Sequence, residues 1–132
     1  MALSILKSLF GRSLGLSKDD HLVIANGTIS VDNGTASATT GAATLNKVAG
    51  KVTSEALTTA AAATYTLTLT NSKIAASDLV FASVALGTAT TGTPAVARVT
   101  PAAGSAVIVI QNIHASAALN GTIVVSYAVV KG

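Results

Sequence analysis

The sequence contains no cysteine and no tryptophan, and only 3% of its 132 residues are aromatic. The absence of cysteine excludes disulfide bonds, zinc ribbons and thiol nucleophiles. Charged residues are also scarce, at 10% of the chain against about 25% in a typical soluble domain. Half of the residues are apolar. We interpret a chain of this length with so few charges as one domain that buries much of its surface against partners.

Long apolar runs are absent as well. The longest aliphatic run, Ala106–Ile110, ends at Gln111, whereas a membrane-spanning helix needs about 20 consecutive apolar residues. We therefore expect no membrane association. The net charge is +3, but the basic residues are scattered and no cluster contains interleaved aromatics. We therefore also expect no nucleic-acid partner.

The N-terminal region carries the only helix-compatible pattern. Leu3, Leu6, Phe10 and Leu14 recur at spacings of three and four residues, which predicts a short amphipathic helix over residues 2–10. A terminal helix of this kind must dock, either on its own domain or on a neighbouring subunit. We predict these four side chains as assembly contacts.

The same region does not have the order of a secretion signal. Lys7 interrupts its apolar stretch and Arg12 follows it, whereas a signal peptide places positive charge before an unbroken apolar stretch of about 7 to 15 residues. We therefore expect no secretion signal and a protein that is made and assembled in a cytoplasm.

The chain divides into three regions by composition. Residues 1–34 are interpreted as an N-terminal arm, a short helix followed by a hairpin whose turn is Asn26–Gly27. Residues 35–47 are small and polar and are interpreted as a linker. Residues 48–132 are expected to form a β-sandwich body.

Several short strands with turn signals between them make up the expected body. Thr64–Thr70 and Thr122–Val130 alternate between apolar and other residues, as half-buried antiparallel strands do. Leu79–Leu86 and Ser105–Gln111 are apolar on both faces, and the second of these is predicted to be a central strand. The remaining predicted strands are a weak one within Val48–Leu57 and one over Ala95–Thr100, with Arg98 directed outward. These patterns predict an all-β, jelly-roll-like or Greek-key antiparallel β-sandwich with a short N-terminal helix or arm.

Chemistry-bearing residues are few and dispersed. Asp19, Asp20 and His21 are adjacent, but neighbours in an extended segment point to opposite faces, which is poor geometry for a metal. His114 has no Gly-x-Ser-x-Gly elbow to accompany it, and we interpret it as a strand-end histidine that hydrogen-bonds a loop. No phosphate-binding glycine motif and no pair of suitably spaced carboxylates occurs. We therefore predict no catalytic, cofactor-binding or metal-binding residues, and no enzymatic activity.

The stretch from about Lys47 to Val130 resembles small structural proteins of tailed bacteriophages. It covers roughly the last two-thirds of the chain, and its motifs are strand-and-turn motifs. The segments that carry the resemblance are Ala49–Ala60, Tyr65–Lys73, Val99–Ser105 and Asn112–Thr122.

The resemblance implies a virion component, of the capsid decoration or cement type, located on the capsid surface. We expect its partners to be copies of itself, as a homotrimer that closes around a local three-fold position of the shell, and the major capsid protein, and we expect no cofactor. Two alternatives stay open. One is a tail or head-fibre subunit that binds a host surface, and the other is a small hydrolase that uses His114.

Overall fold

The computed structural model describes residues 30–132, which contain eight β-strands and no helix. The strands are β1 (Asn33–Ser37), β2 (Ala42–Thr44), β3 (Ala49–Thr53), β4 (Thr64–Thr70), β5 (Leu79–Leu86), β6 (Pro94–Ala102), β7 (Ser105–Asn112) and β8 (Ile123–Val130). Val31–Gly132 form one compact unit. The all-β class predicted from the sequence is confirmed.

Two four-stranded sheets share one core. Sheet A has the strand order β1-β3-β8-β5, and sheet B has the order β2-β4-β7-β6. The predicted β-sandwich is therefore confirmed. The sheets are mixed, because β1 pairs with β3 and β2 with β4 in parallel, while the other pairs are antiparallel. The parallel pairs arise because β1 to β4 alternate between the sheets, so that β3 and β4 return beside strands that run in the same direction.

The core consists of the inward rows of both sheets. Tyr65, Leu67 and Leu69 of β4 are buried while its four threonines are exposed, as the alternation predicts. β7 lies between β4 and β6, which confirms it as a central strand. The largest fully buried apolar side chains of the strands are Leu67, Leu69, Ile108 and Ile110 from sheet B and Val52, Ile123 and Val125 from sheet A. Each contributes about 1.5–3 kcal/mol through burial.

The expected linker over residues 35–47 is wrong, because this segment contains most of β1 and all of β2. Ala38 and Ala43 are buried. The N–H of Ala38 donates to the carbonyl of Thr53 at 2.7 Å, and the N–H of Thr68 donates to the carbonyl of Gly41 at 2.7 Å. Small side chains here permit close approach to the neighbouring strands, so a composition typical of linkers produces edge strands.

A tight turn joins β1 to β2. Thr39 and Ala42 exchange two backbone hydrogen bonds, and the central residues Thr40 and Gly41 both have positive φ, at 49° and 73°. This is the backbone of a type I′ turn. A Cβ atom on Gly41 would lie 2.6 Å from the carbonyl oxygen of Thr66, so the close approach to β4 also requires glycine.

Asn112 holds the loops at one end of the sandwich. Its side chain is fully buried, and Nδ2 donates to the carbonyl oxygens of Thr59 at 3.1 Å and Ala117 at 2.8 Å. Oδ1 accepts from the N–H groups of Thr93 at 2.9 Å and His114 at 3.2 Å. The amide thus joins the β3–β4, β5–β6 and β7–β8 loops with both of its ends satisfied.

The predicted helix over residues 2–10 and the hairpin at Asn26–Gly27 lie outside the described residues and stay predictions. Within residues 30–132 there is no helix with the length and apolar character that crossing a membrane requires.

Candidate functional site

The outward row of β5 and β8 is the most unusual surface of the described unit. We call it the β5–β8 face and define it by the residues Leu79, Phe81, Ser83, Ala85, Val124, Ser126, Ala128 and Val130. Phe81 is 61% exposed, Leu79 57% and Val130 49%. The alternate residues Val80, Ala82 and Val84 pack against the core. β5 is therefore apolar on both faces although it lies at the edge of its sheet.

The strand register brings the exposed apolar side chains together. Leu79 lies opposite Val130, and Phe81 lies opposite Ala128. Directly opposed residues on one face of an antiparallel pair have Cβ atoms about 4.5–5.5 Å apart. Three of the six large exposed hydrophobic residues in the described part of the chain therefore form one patch at the β5 edge.

The face becomes polar across the sheet. Next to β8, β3 places Lys51 opposite Ser126, and β1 places Thr35 opposite Lys51. Two open depressions meet at the middle of β8. One of about 300 Å³ is lined by residues of β5 and β8 that include Phe81, and one of about 510 Å³ is lined mainly by β1 and β3. Their linings provide hydroxyl groups and one ammonium group, a set that suits binding to another surface better than catalysis.

An ion pair closes the apolar end of this face. Asp78 directly precedes β5 and Lys131 directly follows β8, and Lys131 Nζ lies 2.5 Å from Asp78 Oδ2. The carboxylate is almost fully buried and also accepts from the N–H groups of Ala75 at 2.8 Å and Gly132 at 3.2 Å. The hydrogen bond from Lys131, with that from Ala75, lowers the pKa of Asp78 below its ordinary value of 3.8.

His114 has a structural role in the loop that follows β7. Its Nδ1 atom accepts from the N–H groups of Ser116 at 3.1 Å and Ala117 at 2.8 Å. A catalytic-triad histidine instead donates its Nδ1–H to a carboxylate. The geometry therefore supports the interpretation of His114 as a strand-end residue that fixes a loop, and it gives no support to a hydrolase.

Both tyrosines also serve the fold. Tyr65 donates its hydroxyl to Glu55 Oε2 at 3.0 Å, and Glu55 Oε1 accepts from the N–H of Gly41 at 2.9 Å. Burial, helped by Glu55, raises the pKa of Tyr65. The Tyr127 hydroxyl donates to the carbonyl oxygen of Lys47 at 3.0 Å, and burial raises the pKa of Tyr127. Neither ring is available as a flat exposed binding surface.

Other residues considered from the sequence do not assemble into a site. Asp19, Asp20 and His21 lie outside the described residues, as do the predicted assembly contacts Leu3, Leu6, Phe10 and Leu14. Among residues 30–132, no three histidine or acidic side chains lie close enough to share a metal ion.

The β5–β8 face was not identified from the sequence, although its signal was present. Leu79–Leu86 was recognised as apolar on both faces, which is also the pattern of a buried central strand. Comparison of the chain with protein-family models, with curated proteins and with solved structures gave no match.

Proposed function

We propose that the chain is a non-catalytic structural subunit of a bacteriophage virion that decorates and stabilises the capsid by packing against copies of itself and against the shell. The observation that carries the structural part of the proposal is the β5–β8 face, where Leu79, Phe81 and Val130 are exposed side by side. Contiguous apolar surface of this kind on a rigid sheet is typical of contacts with other proteins.

The polar groups of the described unit support a structural role. His114, Glu55, Asp78 and Asn112 could each take part in chemistry elsewhere, but here each is engaged in hydrogen bonds that hold loops or chain ends. No two of them converge on one cavity with a free acid and base. The virion part of the proposal rests on the resemblance of residues 47–130 to phage structural proteins.

The proposed mechanism is stabilisation by mass action. A homotrimer closes around a local three-fold position of the shell, and closed symmetry prevents open polymerisation. The major capsid protein offers the complete binding site only in the assembled shell, so that binding favours the assembled state. At a subunit concentration 100 times the dissociation constant, this linkage contributes about 2.7 kcal/mol per site.

Three measurements test this proposal. Light scattering of the purified full chain should give three times the chain mass of 12.9 kDa. Gold-labelled antibody against the chain should decorate the shell of virus particles in negative-stain images. Deletion of residues 1–16 should lower shell occupancy. Particles without label, or a chain that stays monomeric at high concentration, would contradict the proposal.

A tail or head-fibre subunit that binds a host glycan is the second candidate, and exposed Phe81 beside a depression favours it. Sugar rings stack on exposed aromatic rings. In this case the label would appear on tails or fibres, and Phe81→Ala would abolish binding to a glycan array while leaving the oligomer intact.

A further inference from the structure

We propose that the β5–β8 face is the surface on which a second copy of this chain packs. The inference rests on the self-association in the proposed function and assigns it to a particular surface. Its starting point is the contiguous row of Leu79, Phe81, Ala128 and Val130 at the β5 edge of sheet A.

The charge pattern of the face fits a second copy. None of its eight residues is charged, so an uncharged surface of the neighbouring copy in a closed ring can cover it without burying an unpaired charge. Lys131 at its end is paired with Asp78. Lys73, whose carbonyl oxygen accepts from Lys131 Nζ at 3.0 Å, lies near the same end, and Lys51 lies in the row of Ser126 on the polar side of the sheet. An acidic or basic partner would find no matching row of opposite charge here.

The face also lacks the features that a lipid surface requires. Proteins that lie on a membrane surround their apolar residues with several lysine or arginine side chains, which contact the anionic headgroups. Within the strands of sheet A, the neighbours of the β5–β8 face are small or hydroxylated residues and a single cation, Lys51. At the apolar end, Lys131 is paired with Asp78. A second protein surface is therefore the better fit.

The available area suits an interface between copies. β5 and β8 are eight residues long, which corresponds to about 26 Å. Four strands about 4.8 Å apart make the sheet about 19 Å wide, so its outward face is at most roughly 500 Å² in projection. Side chains that project from the sheet make the accessible area larger than this projected area, toward the approximately 800 Å² per partner of a standard interface. The patch at the β5 edge would form the apolar part of that interface, and the hydroxyl-bearing strands its polar part.

A pair of matched variants tests the assignment in the full-length chain. Phe81→Asp places a charge within the β5–β8 face, and Thr66→Asp places the same charge at an exposed outward position of sheet B. By light scattering over a concentration series, Phe81→Asp should weaken association by roughly 30-fold or more, the factor expected when an aromatic hot spot is lost. Thr66→Asp should associate as the parent chain does. Circular dichroism and thermal melting verify that both variants fold.

A second measurement does not depend on a disruptive substitution. The chain has no cysteine, so Ser83→Cys and Thr66→Cys each introduce a unique thiol on one outward face. Maleimide labelling of the Ser83→Cys variant should slow at least about tenfold when the concentration is raised above the association midpoint, because the second copy covers the thiol. Labelling of the Thr66→Cys variant should not change.

The outcomes separate this inference from the proposed function. A parent chain that is monomeric at every concentration overturns both. If the parent chain associates while Phe81→Asp also associates and the thiol of the Ser83→Cys variant stays reactive, only the assignment to this face is overturned. Binding of the monomeric parent chain to phosphatidylglycerol vesicles, lost in Phe81→Asp, would instead identify a lipid-binding face and overturn the inference.

Discussion

The outward rows of β4 and β5 have the same backbone plan and opposite chemistry. On sheet B, β4 exposes Thr64, Thr66, Thr68 and Thr70, whereas on sheet A, β5 exposes Leu79 and Phe81 among others. Both strands turn their alternate rows into one core. The inward rows therefore determine folding, and folding does not explain the chemical difference between the outward rows.

This difference indicates what each face meets. Threonine and valine both favour strands, so a threonine row on β5 would satisfy the fold as well as the apolar row does. Exposed leucine and phenylalanine lower solubility and favour association. We therefore expect the exposed threonine row of β4, which we call the threonine face, to meet water. The β5–β8 face would meet a second copy of the chain, as proposed.

The largest expected effect tests whether the two faces belong to one cooperative unit. Asn112→Asp replaces the Nδ2 donor to buried carbonyl groups with a second carboxylate oxygen. We expect a loss of about 3 kcal/mol or more in the free energy of unfolding, measured by urea denaturation. Hydrogen exchange should then increase in both sheets, because the Asn112 side chain joins loops of both.

Asn46→Asp is the matched control for that prediction. Its exposed Oδ1 accepts from the N–H of Ser72 at 2.9 Å, and aspartate retains this acceptor. The free energy of unfolding should change by less than about 0.5 kcal/mol. If Asn112→Asp increased exchange only in β6 and β7, the sheets would unfold separately and the comparison between faces of one unit would fail.

The sequence predicted those parts of the fold that local periodicity encodes. The bounds of β4 and β5 agree with the prediction, because alternation and turn residues mark them. The parallel edge pairs were missed, since strand order depends on contacts between distant segments. Residues 35–47 were missed because buried alanines such as Ala38 and Ala43 do not produce an apolar period.

The candidate site was harder to predict for a related reason. An apolar run on both faces of a strand predicts burial, but it does not indicate whether the residues that bury the strand belong to the same chain or to another one. Ser105–Gln111 lies in a central strand of the structure. Leu79–Leu86 has a similar pattern but forms an edge strand with an exposed apolar row. Only the three-dimensional arrangement separates these two cases.

The second-largest expected effect comes from substitutions that make the outward row of β5 resemble that of β4. Leu79→Thr with Phe81→Thr gives β5 an outward row like that of β4. Association should weaken by roughly tenfold or more, measured by sedimentation velocity. Stability of the monomer should change by less than about 1 kcal/mol, because both side chains are more than half exposed in the single copy. If association were unchanged, the exposed leucine and phenylalanine of β5 would have no role in self-association.

The third effect concerns the ion pair at the apolar end of the face. The pKa of Asp78 is lowered in the folded chain, so its contribution is present above its ordinary pKa of 3.8 and is lost as the pH falls through the lower folded value. Asp78→Asn should therefore destabilise at pH 7 and flatten the loss of stability below about pH 4, in urea melts across pH.

Asp32→Asn is the control for this effect. Asp32 pairs with Lys47 at 2.7 Å, with both side chains partly exposed, and a surface pair of this kind contributes about 0–1 kcal/mol. The control should therefore retain the acid dependence of the parent chain. An equal flattening in both variants would show that Asp78 has no special role at the end of the face.

The smallest expected effect tests whether apolar surface alone is sufficient. Thr66→Val with Thr68→Val makes the outward row of β4 more apolar with little change in side-chain shape, and valine also favours strands. The free energy of unfolding should change by less than about 0.5 kcal/mol, and light scattering should give the mass of the parent chain. New assemblies that grow with concentration would mean that any apolar row on this sandwich drives association. The β5–β8 face would then differ from the threonine face in solubility alone.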